Sequence, residues 1–248
     1  MKLKFIRWSP CAWFFCCATV FHLSACVSGP GGFEGSTGTA LLSLKLKDLH
    51  GGLVQSADGF DLQLDTFALA FSQITLGGDS VTENFAAEFC DEEATGVVAM
   101  ESVPGGAYDS LSLELAPGEG LGGPSLLKGS AVDGEVTSSL NGNSVLILAN
   151  ASSPDGKQHC NLRVELQGGG SIAVGNEDEN TVTVTPLEDV AIPVEVDAQS
   201  LFANVHLSGL CVGGAELLIS PSQNPEQAQA ILGNILGGSA FQLQSSGD

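Results

Sequence analysis

The sequence predicts an all-β fold, a β-sandwich with Gly-rich turns and one or two short helices. Three observations carry that expectation. Apolar residues alternate with polar ones in short runs, as in Leu42, Leu44 and Leu46 against Ser43, Lys45 and Lys47, the period of a strand with one buried face. Turn signals separate the runs: His50-Gly51-Gly52, Asn141-Gly142, Asp155-Gly156 and Gly168-Gly169-Gly170, where glycine supplies the freedom a tight reversal needs. No segment repeats at a fixed period, which argues against a solenoid or propeller. Many short strands between Gly-rich turns then point to a sandwich or a partly open barrel.

Residues 1–25 read as a leader. A basic head (Lys2, Lys4, Arg7) precedes a mostly apolar run over 11–23, the layout of a secretory signal. That run is too short for a membrane span, which needs about 20 residues. It ends in Leu23-Ser24-Ala25-Cys26, which resembles the bacterial lipobox, a small residue followed by a cysteine that is lipidated and opens the mature protein. Cys11, Cys16 and Cys17 follow Pro10, Phe15 and Cys16 and match the pattern less well. Residues 26–38 form a tether, almost all Gly, Ser, Thr and Pro after Val27, with a reach of about 20 Å. The sandwich body is expected over 39–248, and no apolar segment of spanning length follows the leader.

Along the body, Phe60, Leu62 and Leu64 alternate with Asp61, Gln63 and Asp65, and Phe67, Leu69 and Phe71 continue the pattern. Parity slips between Leu64 and Phe67 and again between Phe71 and Ile74. Each slip marks a bulge or a strand boundary, because one extra residue exchanges the two faces. Residues 81–93 read as an acidic loop carrying Cys90, and 97–100 as a short strand. Pro104-Gly105-Gly106 turns the chain into Tyr108 and the alternating Leu111, Leu113 and Leu115. A Gly-rich loop follows over 117–123. Further strands are expected at 134–138, 144–150, 160–167, 171–174, 181–186 and 191–196.

Two segments read as helices. Residues 198–204, with Leu201-Phe202, suit one or two turns. Asn224-Pro225-Glu226 opens the other with a cap, a first-turn proline and an acid near the positive helix end. Its Ala228, Ile231, Leu232, Ile235 and Leu236 make one apolar stripe before Gly237. Such a stripe covers an open edge or end of the sheet, or docks a partner.

Charge and cysteine use narrow the partners. All 29 acidic residues follow Cys26, opposed there by only five of the eight cations (Lys45, Lys47, Lys128, Lys157, Arg163), so the mature net charge is 5 minus 29, or −24. Nucleic acid is excluded as a partner class, because binding it needs clustered Lys and Arg; a solvated acidic surface keeps the protein soluble. With Cys26 lipidated, Cys90, Cys160 and Cys211 remain, and an oxidising compartment would pair two of them. Three pairings are open. Cys160 with Cys211 is preferred, since both lie beside strand-like segments and Cys90 sits in the acidic loop.

Little else carries chemistry. His50, His159 and His206 are the mature histidines, and His159 adjoins Cys160. Imidazole and thiolate suit copper or zinc, but the spacing matches no signature for either metal. No serine sits in a G-x-S-x-G elbow. Gly118-x-Gly120-x-x-Gly123 matches the dinucleotide fingerprint in form only, for Pro124 follows and no helix pattern does. The acidic runs 91–93 and 177–179 lack the calcium-loop pattern. No catalytic residue and no cofactor are expected.

Three segments carry a family resemblance. Residues 64–76 (LDTFALAFSQITL), Val103-Pro104-Gly105-Gly106-Ala107-Tyr108 with Leu111-x-Leu113, and Ile192-Pro193-Val194-Glu195-Val196-Asp197 with Leu201-Phe202 together span 35 of 248 residues. They resemble exported bacterial lipoproteins with a prealbumin-like sandwich and, more weakly, the periplasmic copper-binding proteins associated with methanobactin. The resemblance implies a sandwich fold. In the copper-binding branch a tryptophan matters to the site; here Trp8 and Trp13 both lie in the leader, and the mature chain has none. The expected protein is therefore a lipid-anchored, non-enzymatic binding or structural component of the cell envelope, with an unidentified ligand or protein partner. Val27 after the cysteine, instead of aspartate, points to the outer membrane by analogy with lipoprotein sorting. The alternative is a periplasmic copper- or zinc-binding protein using His50, His159, His206 or a free cysteine.

Overall fold

The first alternating run becomes β1 (Thr37–Leu46), which buries Ala40, Leu42, Leu44 and Leu46 and leaves the residues between them half-buried. The computed structural model describes residues 36–47, 53–89, 97–118, 134–175 and 181–244. β1 starts two residues ahead of the expected body. β2 (Leu53–Gln55) is short, and β3 (Asp61–Leu76) is a single strand of 16 residues. β4 (Asp79–Phe89), β5 (Val97–Pro104), β6 (Gly106–Tyr108) and β7 (Leu111–Leu115) follow, then α1 (Gly134–Leu140). The second half holds β8 (Val145–Ser152), β9 (His159–Leu166), β10 (Gly170–Ala173), β11 (Val182–Val184), β12 (Asp189–Val196), α2 (Ala198–Leu201), β13 (Glu216–Ile219), α3 (Pro225–Leu236) and β14 (Phe241–Leu243).

The two parity slips are bulges inside β3. Register shifts between Leu64 and Thr66 against β8, and between Phe71 and Gln73 against both β4 and β7. An extra residue at each point returns the apolar side chains to the core face. The structure corrects several expectations. Residues 79–89 form a strand, not a loop: Phe85, Ala87 and Phe89 alternate into the core, and the nearby acids obscure that period in the sequence. Residues 134–138 lie in a helix, not a strand, because Val136 and Leu140, one turn apart, both sink into an apolar cluster. β2, β6, β13 and β14 were not foreseen, being only three or four residues long.

The fold is all-β and sandwich-like. One sheet runs β14-β12-β1-β5, with β1 parallel to β12 and antiparallel to β5. The larger sheet runs β10-β7-β3-β8-β9-β13, with β2 and β4 also paired to β3. β6 and β11 form a two-stranded ribbon. One core lies between the main sheets: Leu42, Leu44, Ile192 and Val194 from the first meet Phe67, Phe71, Leu113 and Val164 from the second. Phe67 stacks on Phe89 at 4.7 Å and Phe71 on Phe85 at 5.0 Å. Both are directly opposed cross-strand pairs, each worth about 0.5–1.5 kcal/mol beyond burial. The other face of β3 carries Ala68 and Ala70, small enough for α1 to settle on them with Ala86 and Leu146.

The α3 stripe is used internally. Ala228, Ile231 and Ile235 are buried, while Leu232 and Leu236 lie over Gly168 and Gly170, where a Cβ at Gly168 would collide with the Leu232 side chain. The helix ends differ from expectation. Asn224 occupies the cap position in the left-handed region (φ 59°), and its side chain donates to Leu218 O at 2.7 Å instead of accepting from the helix. Gly237 remains helical, and the left-handed residue past the helix is Gly238 (φ 75°). α2 is capped as its sequence suits: the Asp197 side chain accepts from the Gln199 and Ser200 N–H groups.

Phe71 tests this packing. It is buried and stacked, so Phe71→Ala is expected to cost about 3–5 kcal/mol in urea unfolding of the protein, with far-UV circular dichroism still dominated by strand. A loss below about 1 kcal/mol would contradict the burial of that ring.

Candidate functional site

The most elaborate polar and covalent arrangement gathers where the loop after α2 meets the start of β9. Cys160 and Cys211 form a disulfide, with Cα atoms 5.2 Å apart and a sequence separation of 51. Both are buried. The preferred pairing is thus the one present, and Cys90 lies outside the described residues. The bond sits just before β13 pairs with β9 in parallel, at Glu216 opposite Asn161. That pairing closes a long excursion through the other sheet, so the covalent link fixes a contact that chain entropy opposes. In the chain-entropy account a loop of this length is worth about 4 kcal/mol.

Asp58 fastens the same loop. Its Oδ2 accepts from Leu207 N (2.9 Å), Ser208 N (2.6 Å) and Ser208 Oγ (2.7 Å), and its Oδ1 accepts from Ser56 Oγ (2.6 Å). Ser56 Oγ also accepts from Phe60 N at 3.0 Å, and Gly59 takes the turn at φ 82°. Burial pushes the Asp58 pKa up, but the bonds from Ser56, Ser208 and Leu207 outweigh it and lower it from 3.8 to about 2. The donors from Leu207 and Ser208 hold the loop, and the Ser56 hydroxyl holds Asp58 within its own turn. Asp58 and Ser208 were not singled out in the sequence; the signal available was the Asp58-Gly59 turn dipeptide.

Among the described residues, His159 and His206 do not converge on this clamp as ligands. His159 is exposed, with its carbonyl accepting from Gly214 N at 2.8 Å and its ring against Gly214; His206 is exposed as well. Cys160 and Cys211 are both committed to the disulfide, so neither offers a thiolate beside an imidazole. Among the described residues no three His, Cys, Asp or Glu side chains are grouped to hold a metal. His50 and Cys26 lie outside the described residues, as does most of the 118–123 glycine motif.

At the other end of the sandwich, Tyr108, the chain's single tyrosine, ties the Pro104 turn. Its hydroxyl donates to Pro104 O at 2.6 Å and approaches Asp79 Oδ2 at 3.5 Å, while its ring occupies the space a Cβ at Gly77 would need. Burial, then the Asp79 charge, raise its pKa. The arrangement holds a corner of the fold.

Both ends are therefore fastened, and the chemistry at each is that of attachment between strands. No protein-family model matches the chain, and searches of curated proteins and of solved structures return no match. Among the described residues no helix is long and apolar enough to cross a membrane.

Two outcomes follow for the clamp. Non-reducing peptide mapping should recover Cys160 linked to Cys211, and the double Cys→Ala variant should lose about 4 kcal/mol; recovery of Cys90 in a bridge would contradict this. The Asp58 pKa is depressed on folding, so its contribution is full above pH 3.8 and disappears as pH falls through about 2. Asp58→Asn should cost about 1–2 kcal/mol at neutral pH, discounted for partial exposure, and should flatten the acid limb of a stability–pH profile in that window. An unchanged acid limb would remove Asp58 from the clamp.

Proposed function

We propose that this chain is a lipid-anchored, non-enzymatic component of the bacterial cell envelope, held to the outer membrane through Cys26. The observation that carries the reading is Leu23-Ser24-Ala25-Cys26 directly after a basic and then apolar leader. In this reading residues 1–25 are removed, 26–38 act as tether and 39–248 form the exported body. The Cys160–Cys211 disulfide supports export, because such bonds persist in oxidising compartments. The likeness of residues 64–76, 103–113 and 192–202 to lipoproteins with prealbumin-like sandwiches supports the same class. The body's role is to bind or support an envelope partner, and the surface charge of a chain this acidic disfavours polyanions as that partner.

Lipid on Cys26 has a direct test. More than one acyl chain gives stable attachment where a single chain is marginal. Wild-type protein should sediment with membranes and partition into detergent, whereas Cys26→Ser should remain uncleaved or be released. Continued membrane partitioning of Cys26→Ser after removal of its leader would defeat the proposal.

A further inference from the structure

Leu187 is the most exposed large apolar residue among those described, at 93%. It sits between β11 and β12 with φ 64°, in the left-handed region. That conformation is unfavourable for a bulky side chain and cheap for Gly or Asn. Two costs therefore coincide at one residue, a hydrophobe held in water and a backbone held off its preferred basin. Strain of this kind persists where the surroundings over-determine it, and it is a pointer to use. The surroundings are specific: Leu187 N donates to Thr37 O at 3.0 Å, Thr39 N donates to Glu188 O at 3.0 Å, and Gly105 N donates to Ser36 O at 3.0 Å. The turn is bonded to the first residues of β1, the point at which the tether enters the body.

Position then decides what Leu187 faces. Ten residues, 27–36, separate Cys26 from Thr37, and a Gly- and Ser-rich stretch of that length has a coil reach of about 17 Å. β1 runs away from this point for about 30 Å to the end joined by α2 to the disulfide clamp. An anchored chain keeps the Leu187 turn near the bilayer and the clamp far from it. We propose that Leu187 dips into the lipid interface and sets the body upright on the membrane. This rests on the lipid-anchor reading above. The occupant is the bilayer that the tether supplies at high local concentration, so a single side chain suffices for a weak, orienting contact. Glu188 and Asp189 beside it are exposed; they keep the insertion shallow and favour zwitterionic over anionic headgroups.

The mature chain lacks tryptophan, which makes a clean reporter possible. Mature lipidated Leu187→Trp and Val212→Trp are reconstituted in phosphatidylcholine vesicles carrying brominated acyl chains. Val212 is also exposed, at 63%, and lies next to Cys211 in the clamp. Indole emission should be blue-shifted and quenched in the Leu187→Trp protein and water-like in the Val212→Trp protein; adding phosphatidylglycerol should weaken the quenching in the first. In nanodiscs with nitroxide-labelled lipid, amide signals over 185–189 of the unsubstituted protein should broaden, and Leu187→Asn should relieve the broadening while leaving the protein folded and membrane-bound. Protein that stays with the vesicles but shows water-like emission from the Leu187→Trp variant and no broadening overturns this inference and leaves the anchor intact. Lipidated protein that leaves the vesicles overturns both.

Discussion

The middle of β3, Phe67–Phe71, is buried on both faces, so its backbone N–H and C=O groups have no water and must find neighbours in the sheet. β3 meets that demand by pairing along both edges. β2 and then β4 follow one edge, while β8 and then β7 follow the other. The hand-over falls at Ala70, whose N–H donates to Ser144 O at 2.8 Å and whose carbonyl accepts from Ala116 N at 3.1 Å. Four strands thus take their register from one. The bulges let a 16-residue strand remain in phase with partners that differ along its length, and the Phe/Ala alternation lets its two faces bury different depths of material. Overpacking the alanine face would displace α1; emptying the phenylalanine face would open the core.

What β3 does not organise is the other sheet and the far end of the larger one. β12 and β13 both pair in parallel, with β1 and β9 respectively, and parallel neighbours require long crossovers instead of tight turns. The disulfide and the Asp58 hydrogen bonds act on that problem from two directions. One removes freedom from the unfolded chain, and the other holds the native loop in place ahead of the bond. The α2 end of β12 is held in the same region, where Gln55 N donates to Gln199 Oε1 at 2.7 Å and Gln199 Nε2 returns a bond to Gln55 O at 2.8 Å.

Legibility in the sequence followed the source of each element's stability. Where one face is buried by alternation the strand was readable from that period, as for β1, β7 and β9. The parity slips were readable too, as bulges or strand boundaries, and the register shifts within β3 make them bulges. β4 was missed because its acids sit among residues whose core face is only Phe85, Ala87 and Phe89. α1 was missed because its two anchors, Val136 and Leu140, acquire meaning only from the alanines of a distant strand. β13 and β14 exist through long-range pairing, and nothing local encodes them. The same division holds for the clamp: the cysteines announce themselves, but Asp58 gains its role from Leu207 and Ser208, some 150 positions away.

The charge distribution explains how so acidic a chain folds at all. Among the described residues the buried polar side chains are Ser56, Ser144 and Ser220, and no carboxylate joins them. Repulsion between the acids therefore acts through water, where salt screens it within about 10 Å, and the core between the sheets carries none of it. Each described cation stands by an acid: Lys47 pairs with Asp197 at 3.5 Å, Lys157 with Asp155 at 3.1 Å, Arg163 with Glu165 on the outer face of β9, and Lys45 stands opposite Glu195 across the β1–β12 ladder. Exposed pairs of this kind contribute little each. Asp58 differs, since its negative charge is met by backbone and hydroxyl donors instead of a cation. In a chain so short of lysine and arginine, donors from the loop itself are the most accessible means of making a carboxylate hold the structure together.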